Sequence, residues 1–218
     1  MSAFISHNPV SVLAVGIDSV TLIKNVGVVG ALAVVFAESG LLVGFFLPGD
    51  SLLFSLGLLR ATKPDLVAWP IGVLCVALFL AAAVGDQTGY LIGKRLGPKL
   101  FEREDSRLFK RKHLHAAEGY FDRHGARTIV IARFVPIVRT FAPVVAGASA
   151  MHRLVFSKYN LLGAAMWTVG ITLAGYMLGK RFPWIGDKIE ILSITIIAAS
   201  VLPMLAELLR HRRRPAAQ

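Results

Sequence analysis

Two arginines six positions apart, Arg133 and Arg139, stand in an otherwise apolar run from Thr128 to Met151, with Pro136 between them. Arginine keeps its charge at any biological pH. At the centre of a bilayer it costs about 2.5–3.5 kcal/mol on insertion scales, so it needs an anion, water or an interface. A pair of guanidiniums can grip a phosphate through bidentate hydrogen bonds, which a lysine does less specifically. Two acids, Glu38 and Asp50, interrupt a second apolar run from Asn25 to Arg60. Burial and a neighbouring guanidinium act on a carboxylate's proton affinity in opposite senses. The four residues therefore form a candidate set: Arg133 and Arg139 for an anionic substrate, Glu38 and Asp50 for proton coupling. A proton loaded on an acid would free an arginine for substrate, and its release would re-form the internal pair. The plainer account is a set of structural ion pairs clamping the two segments together.

The elements that must carry these charges are broken ones. Pro48-Gly49-Asp50 supplies a turn, and the pieces on either side, 25–37 and 51–59, fall short of the ~20 residues a crossing needs. A helix–turn–helix hairpin with Pro48 and Gly49 at its tip fits better, and Lys24, Arg60 and Lys63 put its ends at one interface. In the second segment Pro136 and Pro143 each remove a backbone donor, so these prolines mark the tip of a second hairpin. Irregular backbone at membrane depth survives only inside protein or beside a watery cavity. Residues 10–23 are too short to span and suit an interfacial helix. The runs 66–85, continued to Gly93, and 159–179 read as spanning helices, and 188–209 as a C-terminal one. Between them, 97–127 is basic and amphipathic, suited to the cytoplasmic face.

Composition agrees. Of 218 residues, 55% are hydrophobic and only 17% charged, against about 25% charged for a soluble domain. The expected fold is an all-α polytopic membrane protein forming one domain over 1–218. The net charge of +11 comes from basic segments between apolar runs, which fits cytoplasmic loops facing anionic lipid and gives no footing for nucleic acid. Cys75, the single cysteine, reads as a small buried hydrophobe. His113 and His115 lack a third ligand at suitable spacing, so no metal is expected. No cofactor is expected either. The tail Arg210–Arg214 places the C-terminus in the cytoplasm.

The stretch Gly89-Tyr90-Leu91-Ile92-Gly93-Lys94-Arg95 returns as Gly175-Tyr176-Met177-Leu178-Gly179-Lys180-Arg181, 86 positions on. Each copy ends a spanning run, and each run follows a broken segment. The two spans run in opposite directions if 128–151 folds back. The halves, about 10–96 and 110–182, then form inverted repeats with two opposed re-entrant hairpins, a plan common among secondary transporters. It also accounts for Lys180, Arg181 and Lys188 falling on the outer side.

Phe36-Ala37-Glu38, Pro48-Gly49-Asp50 and the block Arg133-Phe134-Val135-Pro136-Ile137-Val138-Arg139-Thr140-Phe141-Ala142-Pro143, followed by Ala146-Gly147, resemble the DedA family. That family is also called SNARE-associated or VTT-domain membrane proteins, and the resemblance covers roughly 25–180. It implies opposed re-entrant hairpins and lipid transport. Bacterial members are linked to recycling undecaprenyl phosphate across the inner membrane with a need for the proton motive force, and eukaryotic relatives resemble scramblases. The family's acids and arginines fall on Glu38, Asp50, Arg133 and Arg139. The implied partners are membrane lipids, a polyprenyl phosphate foremost, and protons; a homo-oligomer is compatible with this. A gradient-independent scramblase and a lipid-phosphate hydrolase are the alternatives. The hydrolase would want a nucleophile or histidine beside the arginines, and His124 and His152 sit only at the ends of the segment.

Overall fold

The computed structural model describes residues 19–41, 49–101, 125 and 127–188. Pro48, the basic segment 102–124 with its three histidines, the C-terminal helix 188–209 apart from its first residue, and the arginine-rich tail lie outside them, as does most of the interfacial helix expected at 10–23. Six α-helices make up the described fold: α1 Ser19–Gly40, α2 Gly49–Thr62, α3 Ile71–Phe101, α4 Thr128–Ala132, α5 Pro136–Ala148 and α6 Arg153–Arg181. A 3-10 turn, Pro183–Lys188, closes the series. Within α1, α3 and α6, the stretches Leu22–Gly40, Ile71–Leu96 and Arg153–Arg181 are each long and apolar enough to cross a membrane.

Several boundaries differ from the sequence expectation. Residues 19–23 run on through the exposed Lys24 in one helical stretch, since its side chain can lie outside the helix. The break comes instead at Gly27, where φ is +65°, a value glycine adopts without steric cost. Beyond Gly27, α1 is about 20 Å long at 1.5 Å per residue, well short of a ~30 Å hydrocarbon core. Helix α3 begins at Ile71, not Leu66. Pro70 restrains the residue before it from helical geometry, and its own carbonyl accepts the Leu74 N–H at 2.9 Å. It also runs on past the exposed Lys94 and Arg95 to Phe101, since long cationic side chains can reach outward from a helix.

The second segment is broken as expected, with one correction. Val135, just before Pro136, takes an extended conformation (φ −106°, ψ 110°) that separates α4 from α5. Pro136 opens α5, whereas Pro143 lies inside it and marks no tip. With no N–H of its own, Pro143 leaves the Arg139 carbonyl without its helical donor. At 13 residues α5 is, like the 14-residue α2, too short to span alone.

Apolar side chains fill the core, with Leu52, Leu56, Leu74 and Leu78 fully buried, and also cover the outside. Val29, Val73, Leu154 and Met177 are among many large apolar side chains turned outward, while Glu38, Asp86, Arg133 and Asn160 are buried. Lipid contact explains the first group. Packing is close because small residues face backbone. Helix α2 lies on α6, with Gly57 against Thr172 and Gly175 against Phe54. Helix α5 lies on α3, with Gly93 against Val144 and Gly147 against Tyr90. Helix α1 meets α3 where Gly40 and Gly85 touch: a Cβ on Gly40 would stand 2.5 Å from the Gly85 carbonyl oxygen.

A Cβ has no such room at Gly175, and open space at Gly170 on the same helix. Gly175→Val should destabilise the fold by about 1–3 kcal/mol through overpacking. Gly170→Ala should be neutral or stabilising by up to ~1 kcal/mol. Unfolding of the two variants in detergent by SDS titration checks the contrast.

Candidate functional site

The α1–α3 contact carries the chain's acids to the centre of the bundle. Glu38 sits in the last turn of α1, two residues before Gly40, and Asp86 follows Gly85 on α3. Asp50 lies in the first turn of α2, a position that favours negative charge. Helix α5 brings Arg139 in on its first turn, where its N–H bonds the Val135 carbonyl at 2.9 Å. Arg133 closes α4 on the far side of the break. The discontinuity thus sends two arginines of one short stretch into the same core from separate helices.

Arg139 bridges the two expected acids. Its Nη2 donates to Glu38 Oε1 at 2.6 Å and its Nη1 to Asp50 Oδ1 at 2.5 Å. Asp50 Oδ1 also accepts the Trp167 indole N–H at 2.7 Å. Arg133 does not join them. Its Nη1 donates to Asp86 Oδ2 and, at 3.2 Å, to Asn160 Oδ1. The two lobes meet at Trp167, whose ring centre lies 4.7 Å from the Arg139 Cζ and 5.1 Å from the Arg133 Cζ. Both distances suit a cation–π contact.

The lobes differ in access. Asp86 is 1% exposed and the Arg133 side chain 6%, whereas Arg139 is 13% and Asp50 26% exposed. A small, partly open cleft with room for about one water molecule is walled by Glu38, Ser39, Asp86, Arg133, Arg139, Thr140 and Trp167. The buried Glu38 Oε2, Arg133 Nε and Asn160 Nδ2 make no hydrogen bond among the described residues. Such atoms in a native core usually mark water, an ion or a ligand.

Gly49 opens α2 beside Glu38. It has no positive φ, and an added Cβ would collide with the Glu38 carboxyl. Glycine is needed there so that the acid can approach the start of the helix. Among the described residues no cluster of three or more His, Cys, Asp or Glu could hold a metal. His152 lies outside the cluster, exposed at the start of α6.

The sequence reading passed over Asp86, Asn160 and Trp167. Asp86 falls within a spanning run, yet an acid inside an apolar stretch is a functional candidate on cost alone. Asn160 and Trp167 lie seven residues apart, two turns along one face of α6, and both are buried.

These features define an α-helical membrane protein with a charged, partly open interior site. The family model for the VTT domain matches residues 19–177. Protein DedA of Escherichia coli K12 is 42% identical over 183 residues, covering 84% of this chain and 82% of its own. An uncharacterized membrane protein of Mycobacterium tuberculosis H37Rv is 45% identical over 184 residues, 84% of this chain and 79% of its own. Inner membrane protein YqjA of Escherichia coli K12 is 33% identical over 170 residues, 78% and 75%. No solved structure matches. The chain belongs to the VTT-domain, or DedA, family.

Removing Asp86 alone should leave Arg133 as a buried, poorly compensated charge. Asp86→Asn is expected to cost about 3–5 kcal/mol of stability. Adding Arg133→Gln should recover most of that loss, because the orphaned charge goes too. SDS-titrated unfolding of the single and double variants in micelles measures the difference.

Proposed function

We propose that this protein moves a phosphate-bearing lipid, a polyprenyl phosphate such as undecaprenyl phosphate, between leaflets of the bacterial inner membrane in exchange for protons, with its C-terminus in the cytoplasm. The observation that carries the reading is the double hold on Arg139. Glu38 and Asp50 occupy its two Nη donors, the same fork that binds a phosphate bidentately. Phosphate and carboxylates therefore compete for one guanidinium.

Charge arithmetic gives the coupling its sense. The cluster holds three carboxylates, Glu38, Asp50 and Asp86, and two guanidiniums, Arg133 and Arg139. Fully ionised it carries one net negative charge and repels an anion. Protonation of Glu38 or Asp50 removes that excess and frees an Nη donor. Deprotonation re-forms the pair and expels the phosphate. Transport rather than hydrolysis follows from this reading: the arginines exchange partners and no bond to phosphorus breaks.

The proposed architecture is a pair of opposed re-entrant hairpins, α1–α2 and α4–α5, in inverted repeats completed by α3 and α6. Support comes from the lengths of α2 and α5, from the Gly27 break, and from the pattern of contacts. The second limb of each hairpin packs on the other half's long helix, α2 on α6 and α5 on α3. Gly179 meets Leu58 as Gly93 meets Val144, and each residue lies 86 positions from its counterpart.

Leaflet exchange of labelled undecaprenyl phosphate in proteoliposomes tests the proposal. Exchange should rise with an imposed pH gradient and collapse with a protonophore. Arg139→Lys, which keeps the charge and loses the fork, should reduce it at least about tenfold with normal insertion. Absence of any lipid movement would contradict the reading. Movement indifferent to the gradient would make the protein a scramblase.

A further inference from the structure

The three acids of the site do not meet the arginines on equal terms. Asp86 has a guanidinium to itself, that of Arg133, whereas Glu38 and Asp50 share Arg139. The negative charge in excess over the two arginines therefore lies on the Glu38–Asp50 pair. The other charged groups facing Glu38 are Arg133 of α4 and Asp86 of α3, which already neutralise each other.

Within the pair, each difference favours charge on Asp50. Its Oδ1 accepts two hydrogen bonds, from Arg139 Nη1 at 2.5 Å and from the Trp167 indole at 2.7 Å. Asp50 lies in the first turn of α2, where unpaired N–H groups favour an anion, and its side chain is partly exposed. Glu38 has one donor, Arg139 Nη2, on Oε1; its Oε2 is buried and has none among the described residues. It lies in the last turn of α1, where the carbonyl end of the helix disfavours an anion. A buried carboxylate oxygen without a donor costs less once a proton has removed the charge.

We propose that Glu38 is the proton-carrying acid of the site, and that Trp167 is the positioning residue that reserves Asp50 as the fixed, ionised partner of Arg139. This rests on the proton-exchange reading above and adds which acid takes the proton. A hydrogen bond to a charged acceptor is stronger than one to a neutral acceptor, so the Trp167 N–H opposes protonation of Asp50 and leaves Glu38 to accept it. A proton on Glu38 weakens its hold on Arg139 Nη2, while Nη1 stays on Asp50. Arg139 is then tethered by one arm and open at the other. With Asp50 and Asp86 ionised against two guanidiniums, the cluster is neutral in that state.

The test is infrared spectroscopy of the full chain in micelles, prepared with either glutamate or aspartate isotope-labelled at the side-chain carboxyl. The pH is lowered from about 8 to about 5, a range in which ordinary exposed carboxylates stay ionised. A protonated carboxyl band should appear that shifts with the glutamate label, is lost in Glu38→Gln and passes to the aspartate label in Glu38→Asp. A band that survives Glu38→Gln overturns the assignment, as does one in the unaltered chain that follows the aspartate label and is lost in Asp50→Asn or Asp86→Asn. Absence of any protonated band overturns it too. Trp167→Phe keeps a ring beside the arginines and removes the donor. An aspartate band should then join the glutamate band and be lost again on adding Asp50→Asn; an unchanged spectrum overturns the role of Trp167. Benzothienylalanine in place of Trp167 has the same shape without the N–H, and decides should the phenylalanine variant not fold. None of these measurements uses a lipid, so a Glu38 band in a chain that moves no lipid would remove the transport reading alone.

Discussion

A guanidinium inside a membrane protein needs an anion, backbone carbonyls or water around it, and here carboxylates within hydrogen-bond reach meet both arginines and organise the structure. Arg139 is held by acids from two different helices, α1 and α2, and Arg133 by an acid from a third, α3. The charges join segments far apart in sequence: Arg139 and Glu38 are 101 residues apart, Arg139 and Asp50 89. The apolar exterior gives no such direction, because lipid is as apolar as the side chains that touch it. Ion pairing and close backbone packing therefore carry the specificity that hydrophobic burial supplies in water-soluble domains.

The broken helices follow from the same requirement. An unbroken α1, or α4 and α5 as one helix, would carry its charges along one straight rod. The Gly27 kink and the extended Val135 before Pro136 let short helices end at the core. Glycine-to-backbone contacts then draw α3 against α1 and α5, and α6 against α2, until five charged side chains share one small volume. Trp167 fills the space between the two arginines. It touches both guanidiniums and donates to Asp50, so a change of partner at either arginine reaches the other lobe through one ring.

Much of this was legible in the residues. Glu38, Asp50, Arg133 and Arg139 are conspicuous because a charge in an apolar run is expensive, and the cost is visible without coordinates. The break at Val135-Pro136 was legible for a related reason, since proline restrains its predecessor whatever surrounds it. Pro143 misled because proline within a helix costs one hydrogen bond, which tertiary packing can offset. Asp86 is less conspicuous, because a single acid is tolerable in a long helix until its partner is known. Asn160 and Trp167 are ordinary residues on a helix face; only the arrival of Arg133 and Arg139 from another segment gives them a task. The pairing of each acid with its arginine was likewise beyond the sequence, because it depends on which helix ends meet.

The central claim is that Arg139 and Glu38 are bound to each other in the resting protein across the interface of two segments. A double-mutant cycle measures this directly: the unfolding free energies of the wild type, Glu38→Gln, Arg139→Gln and the combined variant, all in the same micelles. The bond predicts a coupling energy of about 1–3 kcal/mol, the double variant being more stable than the two single losses sum to. A coupling near zero would mean that the two residues do not meet, and would contradict the account.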